Sequence, residues 1–191
     1  MTTRSTMKRL MVLLFLFSVT TLYAASPQSR PETWARPIEA KNLKNFYKLD
    51  EHVYRSAQPD EEGFEYLKTL GIKNILNLRD YHKDAPRSKN PGMNLYRVEM
   101  DAGKIRTSDV AAALRFINQS EGPVLIHCWH GSDRTGTISA LYRIVFQNWS
   151  KEEAIDELMH GGFGYHAIYK NIPEFIRQVD IKEIKKKVFA P

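Results

Sequence analysis

The segment from His127 to Gly136 constrains the fold of this chain more than any other. It reads His-Cys-Trp-His-Gly-Ser-Asp-Arg-Thr-Gly and contains Cys128, the only cysteine among 191 residues. The apolar run at residues 123–126 precedes it, and a helical spacing of apolar residues follows it. The sequence therefore predicts a strand, a tight loop and a helix N-terminus, with a thiol at the start of the loop.

This predicted loop has the composition of an anion-binding site. Backbone N–H groups in a loop between a strand and a helix point into one hollow, beside the positive end of the helix dipole. Gly131 permits a tight turn, and the planar guanidinium of Arg134 can hold two phosphate oxygens. A free thiol, with a pKa of about 8.5, is mostly protonated at neutral pH, and positive surroundings favour the nucleophilic thiolate. We therefore expect a phosphate bound with its phosphorus facing Cys128.

The predicted site residues fall into two groups. Those expected to bind phosphate are Trp129, His130, Gly131, Ser132, Asp133 and Arg134. Those expected to act in catalysis are Cys128 as nucleophile, Arg134, and Thr135, whose hydroxyl can ease the departure of sulfur. A buried cysteine that serves only as a small apolar residue is the alternative for the thiol taken alone.

The segment resembles the Cys-x5-Arg signature loop of the protein tyrosine phosphatase superfamily. Residues 53–59, which read Val-Tyr-Arg-Ser-Ala-Gln-Pro, are similar to a segment of small bacterial dual-specificity phosphatases. The resemblance covers roughly residues 45–180. It implies a compact α/β fold with a central, mostly parallel sheet flanked by helices, and hydrolysis of phosphotyrosine without a metal or other cofactor.

The reaction also needs a proton donor for the leaving oxygen. Asp101 follows the predicted strand at residues 94–100, and in the related phosphatases an Asp on the corresponding loop is the general acid. We therefore expect Asp101 to fill this role. The alternatives are that Asp101 only caps a turn with Gly103, or that Asp84 or Asp80 is the acid.

Several neighbouring residues have two open interpretations. His127 either supports the loop or is a core histidine, and Trp129 belongs either to the pocket rim or to the surface. Arg55 is either a buried structural residue or part of the substrate rim. The Asp133 side chain is expected to point away from phosphate. The histidines and aromatic residues within residues 160–169 match no metal-ligand spacing, which predicts packing roles.

Secondary-structure patterns alternate between strands and helices, which predicts a layered α/β architecture. Strands are expected near Val53 and at residues 72–78, 94–100 and 123–127. Helices are expected at residues 59–70, from a cap at Thr107 or Ser108, at 134–149, from a capping box at Ser150, and as one final helix at 172–187.

The N-terminus has the pattern of a secretory signal peptide at residues 1–24. A basic start precedes an apolar run at residues 10–19, and small residues follow. An uncleaved anchor is the alternative. Residues 25–44 then form an N-terminal arm or linker, and residues 45–191 form the phosphatase domain. This organisation predicts a periplasmic or secreted protein with no stable membrane span after cleavage.

Composition narrows the classes of partner. The formal net charge is +6, and the signal peptide accounts for three of the basic residues, which is too mild an excess to predict nucleic-acid binding. The expected partner is a phosphorylated protein, with the periplasmic part of a membrane protein as one candidate. Phosphoserine and phosphothreonine are possible further substrates. The alternatives are a phosphatase of phosphoinositides or other small phosphate esters, and a non-catalytic phosphate-binding module. A further alternative, an arsenate-reductase-like enzyme, would need a second cysteine to resolve its adduct, and this chain has only one.

Overall fold

The computed structural model describes residues 30–84 and 92–190. The predicted signal peptide lies outside these residues. The strands are β1 Arg36–Pro37, β2 Tyr47–Lys48, β3 Val53–Ser56, β4 Asn74–Asn77, β5 Asn94–Arg97 and β6 Val124–His127. The helices are α1 Glu61–Thr69, α2 Thr107–Gln119, α3 Asp133–Gln147, α4 Lys151–His160, α5 Asn171–Gln178 and α6 Ile181–Val188.

The six strands form one mixed sheet in the order β1-β2-β3-β6-β4-β5. The pairs β3–β6, β6–β4 and β4–β5 are parallel, whereas β1 and β2 join in antiparallel pairs at one edge. Helices flank this sheet, so the predicted α/β fold with a mostly parallel sheet is confirmed. Because the carboxyl ends of parallel strands share one edge of a sheet, the loops after β3, β4, β5 and β6 converge there.

The core lies on both faces of the sheet. All four residues of β6 are buried, as expected for a central parallel strand. Alternate residues along it point to opposite faces, so Val124 and Ile126 pack in the larger cluster beneath α2–α6. Leu125 instead packs with Phe64 and Leu67 of α1 in a smaller cluster on the other face. These two layers hold the start of the signature loop in a fixed position.

The predicted ends of two helices can be compared with the structure: α1 begins at Glu61 and not at residue 59 as expected, whereas its end before Gly71 and the start of α4 agree with the prediction. The Asp60 side chain caps α1 by accepting a hydrogen bond from the Gly63 N–H (2.7 Å), and Gly71 follows the helix with a positive φ of 75°. The predicted capping box at Ser150 is confirmed: its backbone N–H donates to the Glu153 carboxylate (2.8 Å) at the start of α4.

Two other predictions were wrong. Neither Thr107 nor Ser108 caps α2, because the helix already begins at Thr107 and Arg106 occupies the cap position without a side-chain bond. The single final helix is in fact two, α5 and α6. The break occurs because Asp180 caps α6, where its carboxylate accepts the Lys182 N–H (2.8 Å). Among the described residues, no helix has the length and apolar character needed to cross a membrane.

Candidate active site

Cys128 lies directly after β6, at the sheet edge where the parallel strands end. It is 3% exposed, so the thiol sits at the bottom of the site. The chain turns through residues 129–132 and enters α3 at Asp133. The predicted order of strand, loop and helix N-terminus is therefore present.

The carbonyl groups of this loop point outward, and each is met by a donor from another segment. The bonds run from the Gln58 backbone N–H to the Trp129 oxygen (3.0 Å), from Asn45 Nδ2 to the His130 oxygen (2.8 Å), and from Arg55 Nη2 to the Gly131 oxygen (2.7 Å). In a planar trans peptide the C=O and the next N–H point in opposite directions. Fixing these three carbonyls outward therefore turns the N–H groups of residues 130–132 inward, which makes an anion-binding nest.

Gly131 is required by the close approach of this loop to β3. Its φ is +75°, and a Cβ there would lie 2.5 Å from both the carbonyl carbon and oxygen of Ser56. A side chain at this position would clash with backbone, which cannot move aside easily. The loop therefore packs tightly against the strand that supports it.

Arg134 brings two further loops to the site. Its side chain is 17% exposed, and Nη1 lies 3.3 Å from Asp80 Oδ1, on the loop after β4. The same nitrogen lies 3.4 Å from the Met100 carbonyl oxygen, on the loop after β5. Two of the candidate acids, Asp80 and Asp101, are thus carried by loops that meet at the guanidinium.

Asp101 follows Met100 and is exposed. Its Oδ1 accepts the Gly103 N–H (2.8 Å), so the carboxylate does cap a turn, as the alternative interpretation anticipated. This bond does not exclude catalysis, because it fixes the carboxylate beside the residue that contacts Arg134. Asp80 is 43% exposed and is the acid in direct contact with Arg134.

Asp84 has a different environment from the other two acids. It is buried, and its carboxylate accepts from His127 Nε2 (2.9 Å) and Gln58 Nε2 (2.9 Å). Burial opposes ionisation of Asp84, but the hydrogen bonds from His127 and Gln58 outweigh it and hold the pKa of this carboxyl below its usual value. Asp84 is therefore a poor proton donor and a good anchor for His127, whose Nδ1 lies 3.3 Å from the Cys128 carbonyl oxygen.

Arg55 supports the loop from beneath. It is 1% exposed, its guanidinium carbon lies 3.6 Å from the centroid of the Phe163 ring, and it donates to the Gly131 oxygen. Burial lowers the pKa of Arg55 to about 10, which leaves the guanidinium charged at neutral pH. The structural interpretation of Arg55 fits these contacts, and it adds a buried positive charge near Cys128.

Residues 161–166 also contact the loop. Packing roles had been predicted for the histidine and the aromatic residues of this segment. Ser132 Oγ donates to the Phe163 carbonyl (2.7 Å). The Asp133 carboxylate accepts from the His166 backbone N–H (2.9 Å) and from His166 Nδ1 (2.8 Å). Asp133 is thus engaged by this segment. The Gly-Gly-Phe-Gly run was the available signal, because three closely spaced glycines indicate a tight turn near other backbone.

Two side chains complete the lining. The Thr135 hydroxyl is buried and has no hydrogen-bond partner, the Cys128 thiol included, within residues 30–84 and 92–190. Trp129 is 50% exposed, and the Arg79 guanidinium carbon lies 4.1 Å from its ring centroid. Across the described part of the chain, no group of three or more His, Cys, Asp and Glu residues is arranged to hold a metal ion.

Comparison with known proteins places this geometry in a family. The model described as "Tyrosine phosphatase family" matches residues 42–189. The dual specificity protein phosphatase TpbA of Pseudomonas aeruginosa is 30% identical over 166 residues, which are 85% of this chain and 74% of that protein. The inositol diphosphatase SIW14 of Saccharomyces cerevisiae is 32% identical over 153 residues, which are 75% of this chain and 53% of that protein.

A solved structure agrees with these matches. The crystal structure of P. aeruginosa TpbA, as a cysteine-to-serine variant in complex with phosphotyrosine, superposes with a TM-score of 0.76 at 28% identity. The match covers 85% of this chain and 100% of that one. Because the family model spans most of the sequence and the fold agrees throughout, this chain is a phosphatase that belongs to the tyrosine phosphatase family.

Proposed function

We propose that this chain is an exported phosphatase that hydrolyses phosphotyrosine in proteins through a cysteinyl-phosphate intermediate. The observation that carries the proposal is the set of outward carbonyls at Trp129, His130 and Gly131. They aim the following N–H groups at the hollow between Cys128 and Arg134. Such donors stabilise a phosphoryl group most strongly in the transition state, where negative charge is redistributed over its oxygens.

In the first step the Cys128 thiolate attacks phosphorus, a P–S bond forms, and the P–O bond to the leaving phenolate breaks. Asp101 donates its proton to that oxygen. In the second step the Asp101 carboxylate takes a proton from water, which attacks phosphorus as the P–S bond breaks. Thr135 donates a hydrogen bond to the departing sulfur, and among the described residues no other group competes for its buried hydroxyl. Arg134 and the inward N–H groups hold the oxygens throughout.

Asp101 is the proposed acid because its loop meets Arg134 while Asp101 itself is exposed to solvent. Asp80 is the competing residue, since it also lies at the guanidinium. Asp84 does not suit the role, because its lowered pKa and its bonds to His127 and Gln58 keep it ionised and occupied.

The direct test is Cys128→Ser with para-nitrophenyl phosphate in the presence of a chelator. We expect the wild type to turn over without metal, and the variant to lose turnover by at least about 10⁴-fold while still binding inorganic phosphate. Retained activity in Cys128→Ser would remove the nucleophile from the proposal. Loss of wild-type activity on chelation would contradict the metal-independent reaction.

A second candidate is the hydrolysis of inositol pyrophosphates or other small phosphate esters. It is favoured by the similarity to an inositol diphosphatase, which is 32% identical over 153 residues. Measuring kcat/KM for a phosphotyrosine peptide, phosphoserine and phosphothreonine peptides, an inositol pyrophosphate and a phosphoinositide decides between the two. The proposal requires the phosphotyrosine peptide to have the highest value, and a higher value for an inositol or lipid substrate overturns it.

Export is proposed from the basic start and the short apolar run at residues 1–24. N-terminal sequencing of the protein recovered from the cell envelope should begin close to residue 25, and recovery of the uncleaved chain in the cytoplasm contradicts this part. The proposed substrate is a phosphorylated protein, with the exported part of a membrane protein as the leading candidate. An Asp101→Ala variant incubated with envelope extract should retain that substrate, and a variant that retains no protein would weaken the assignment of Asp101.

A further inference from the structure

The turn that carries Phe163 lies between the N-terminal arm and the phosphate-binding loop and contacts both. The Phe163 carbonyl accepts from Ser132 Oγ (2.7 Å) and from Asn45 Nδ2 (2.9 Å). The same Asn45 nitrogen donates to the His130 oxygen (2.8 Å). The Phe163 ring, 2% exposed, lies against the guanidinium of Arg55, which donates to Gly131. Three consecutive loop residues, 130–132, are thus bonded either to Phe163 itself or to a side chain that Phe163 contacts.

Phe163 belongs to a tight turn at residues 161–164, which needs contacts from other segments to keep one conformation. A Cβ on Gly161 would lie 2.4 Å from the Glu157 carbonyl oxygen and 2.4 Å from the Phe163 ring, so the turn folds closely over the end of α4. Gly162 and Gly164 both have positive φ, at 76° and 74°. A glycine-rich turn has high conformational entropy when unbound and needs external contacts to hold one geometry.

Arg30 supplies those contacts from the N-terminal arm. Its Nη1 donates to the Gly161 carbonyl (2.5 Å), and its Nη2 donates to the Ala35 carbonyl. Its guanidinium carbon also lies 5.4 Å from the ring centroid of Phe163, 5.4 Å from that of Tyr47 and 5.5 Å from that of Trp34. A planar cation that combines a fork of donors with aromatic faces is a geometry that lysine cannot reproduce.

The arm is itself anchored at a buried ion pair. The Ala35 N–H donates to Glu157 Oε1 (2.6 Å), and the Glu157 carboxylate also accepts from Arg143 Nη2 (2.9 Å) and Nε (3.0 Å). The Arg30 side chain therefore connects Ala35, which the ion pair holds in place, to the turn that carries Phe163. Neither Arg30 nor the arm has a described contact with Cys128 or Arg134.

We propose that Arg30 is a positioning residue for the phosphatase reaction: it holds the 161–164 turn so that Phe163, through Asn45 and Ser132, keeps the N–H groups of the phosphate-binding loop aimed inward. This inference rests on the proposed function of that loop. The arm is thus part of the catalytic unit, although it precedes the sheet strands that build the site.

The test measures inorganic phosphate and vanadate inhibition of para-nitrophenyl phosphate turnover, well below the melting temperature of each variant. Arg30→Ala should weaken phosphate inhibition and lower kcat/KM by about tenfold, because the turn loses the charged hydrogen bond to the Gly161 carbonyl and the contact of Arg30 with the Phe163 ring. Arg36→Ala is the matched control, since Arg36 is an exposed arginine of the same arm on β1, and it should leave both values within about twofold.

A double-mutant cycle separates positioning from general destabilisation. In an Asn45→Ala background the link from Phe163 to His130 is gone. There Arg30→Ala should lower kcat/KM by clearly less than about tenfold, whereas Arg36→Ala should have the same small effect in both backgrounds. If Arg30→Ala does not fold, Arg30→Lys, which keeps the charge but not the fork, carries the same test and the same expected direction.

The outcomes remain distinguishable. Wild-type protein that binds neither phosphate nor vanadate contradicts the proposed function itself. Wild-type protein that binds both, together with an Arg30→Ala variant that is folded and binds phosphate equally well, overturns the positioning role alone. Full additivity of Arg30→Ala with both Asn45→Ala and Ser132→Ala also overturns it, because the effect of Arg30 would then pass through neither link from Phe163 to the loop.

Discussion

The base and the mouth of the phosphate site are built differently. At the base, donors from distant segments, among them the buried Arg55, fix the loop carbonyls, and a buried Asp84–His127 pair lies at the end of β6. At the mouth, the Asp80 side chain and Trp129 are about half exposed and Asp101 is exposed, and the loops that carry the two acids meet at Arg134. From this difference we propose that the base sets the geometry of a bound phosphate, whereas the mouth supplies proton transfer and contacts the rest of the substrate.

Arg134 joins the two regions, and its replacement should have the largest effect. Arg134→Lys keeps the charge but loses the planar fork, so we expect kcat/KM to fall by about 10²–10³-fold. Arg177→Lys is the control, because Arg177 of α5 forms a two-pronged ion pair with Glu152 of α4 and has no described contact with Cys128 or Arg134. Equal activity in wild type and Arg134→Lys would show that a point charge suffices at this position.

The acids of the mouth can be ranked by the next experiment. Asp101→Asn should lower kcat by about 10²-fold for a phosphotyrosine peptide, and by less for para-nitrophenyl phosphate, whose leaving group needs less protonation. Asp80→Asn should have a smaller effect. A larger loss in Asp80→Asn, measured as kcat for both substrates, would move the acid role to the residue in direct contact with Arg134.

The rigidity of the base predicts a stability effect without any substrate. Gly131→Ala should lower the free energy of unfolding by about 2–3 kcal/mol more than Gly122→Ala. Both glycines have positive φ, at 75° and 79°, but a Cβ at Gly122 has nothing within 4 Å, whereas one at Gly131 meets the Ser56 backbone. Denaturant unfolding of the two variants isolates the contact, and equal losses would contradict close packing of the loop on β3.

The smallest effect is expected for the contribution of ionised Asp84 to the free energy of unfolding, which depends on pH. Because the pKa of Asp84 in the folded protein lies below its ordinary value of 3.8, its contribution is complete above that value and is lost as the pH falls through the folded-state pKa. Asp84→Asn should therefore destabilise the protein by about 2 kcal/mol at pH 7 and by progressively less below about pH 4. A variant whose deficit stays constant with pH would argue against an ionised Asp84.

The strand, loop and helix that carry Cys128 and Arg134 were predicted because their sequence pattern is local. An apolar strand, Cys128, Gly131 and Arg134 follow one another within a dozen residues, and the catalytic roles assigned to them stay predictions. The supports were not predictable in the same way. Asn45 reaches His130 across 85 positions and Ser132 reaches Phe163 across 31, so no local pattern reports these contacts. The break between α5 and α6 was missed because apolar spacing continues through Asp180.

In the proposed reaction, Cys128 carries the phosphoryl group between the two half-reactions. This can be tested by rapid acid quenching of wild type or Asp101→Asn during turnover of a phosphotyrosine peptide, followed by mass spectrometry of the Cys128 peptide. We expect a mass increase of one phosphoryl group on Cys128, formed before phosphate release and absent in Cys128→Ser. Phosphate release with no phosphorylated Cys128, or with the label on His127 or His130 instead, would contradict it.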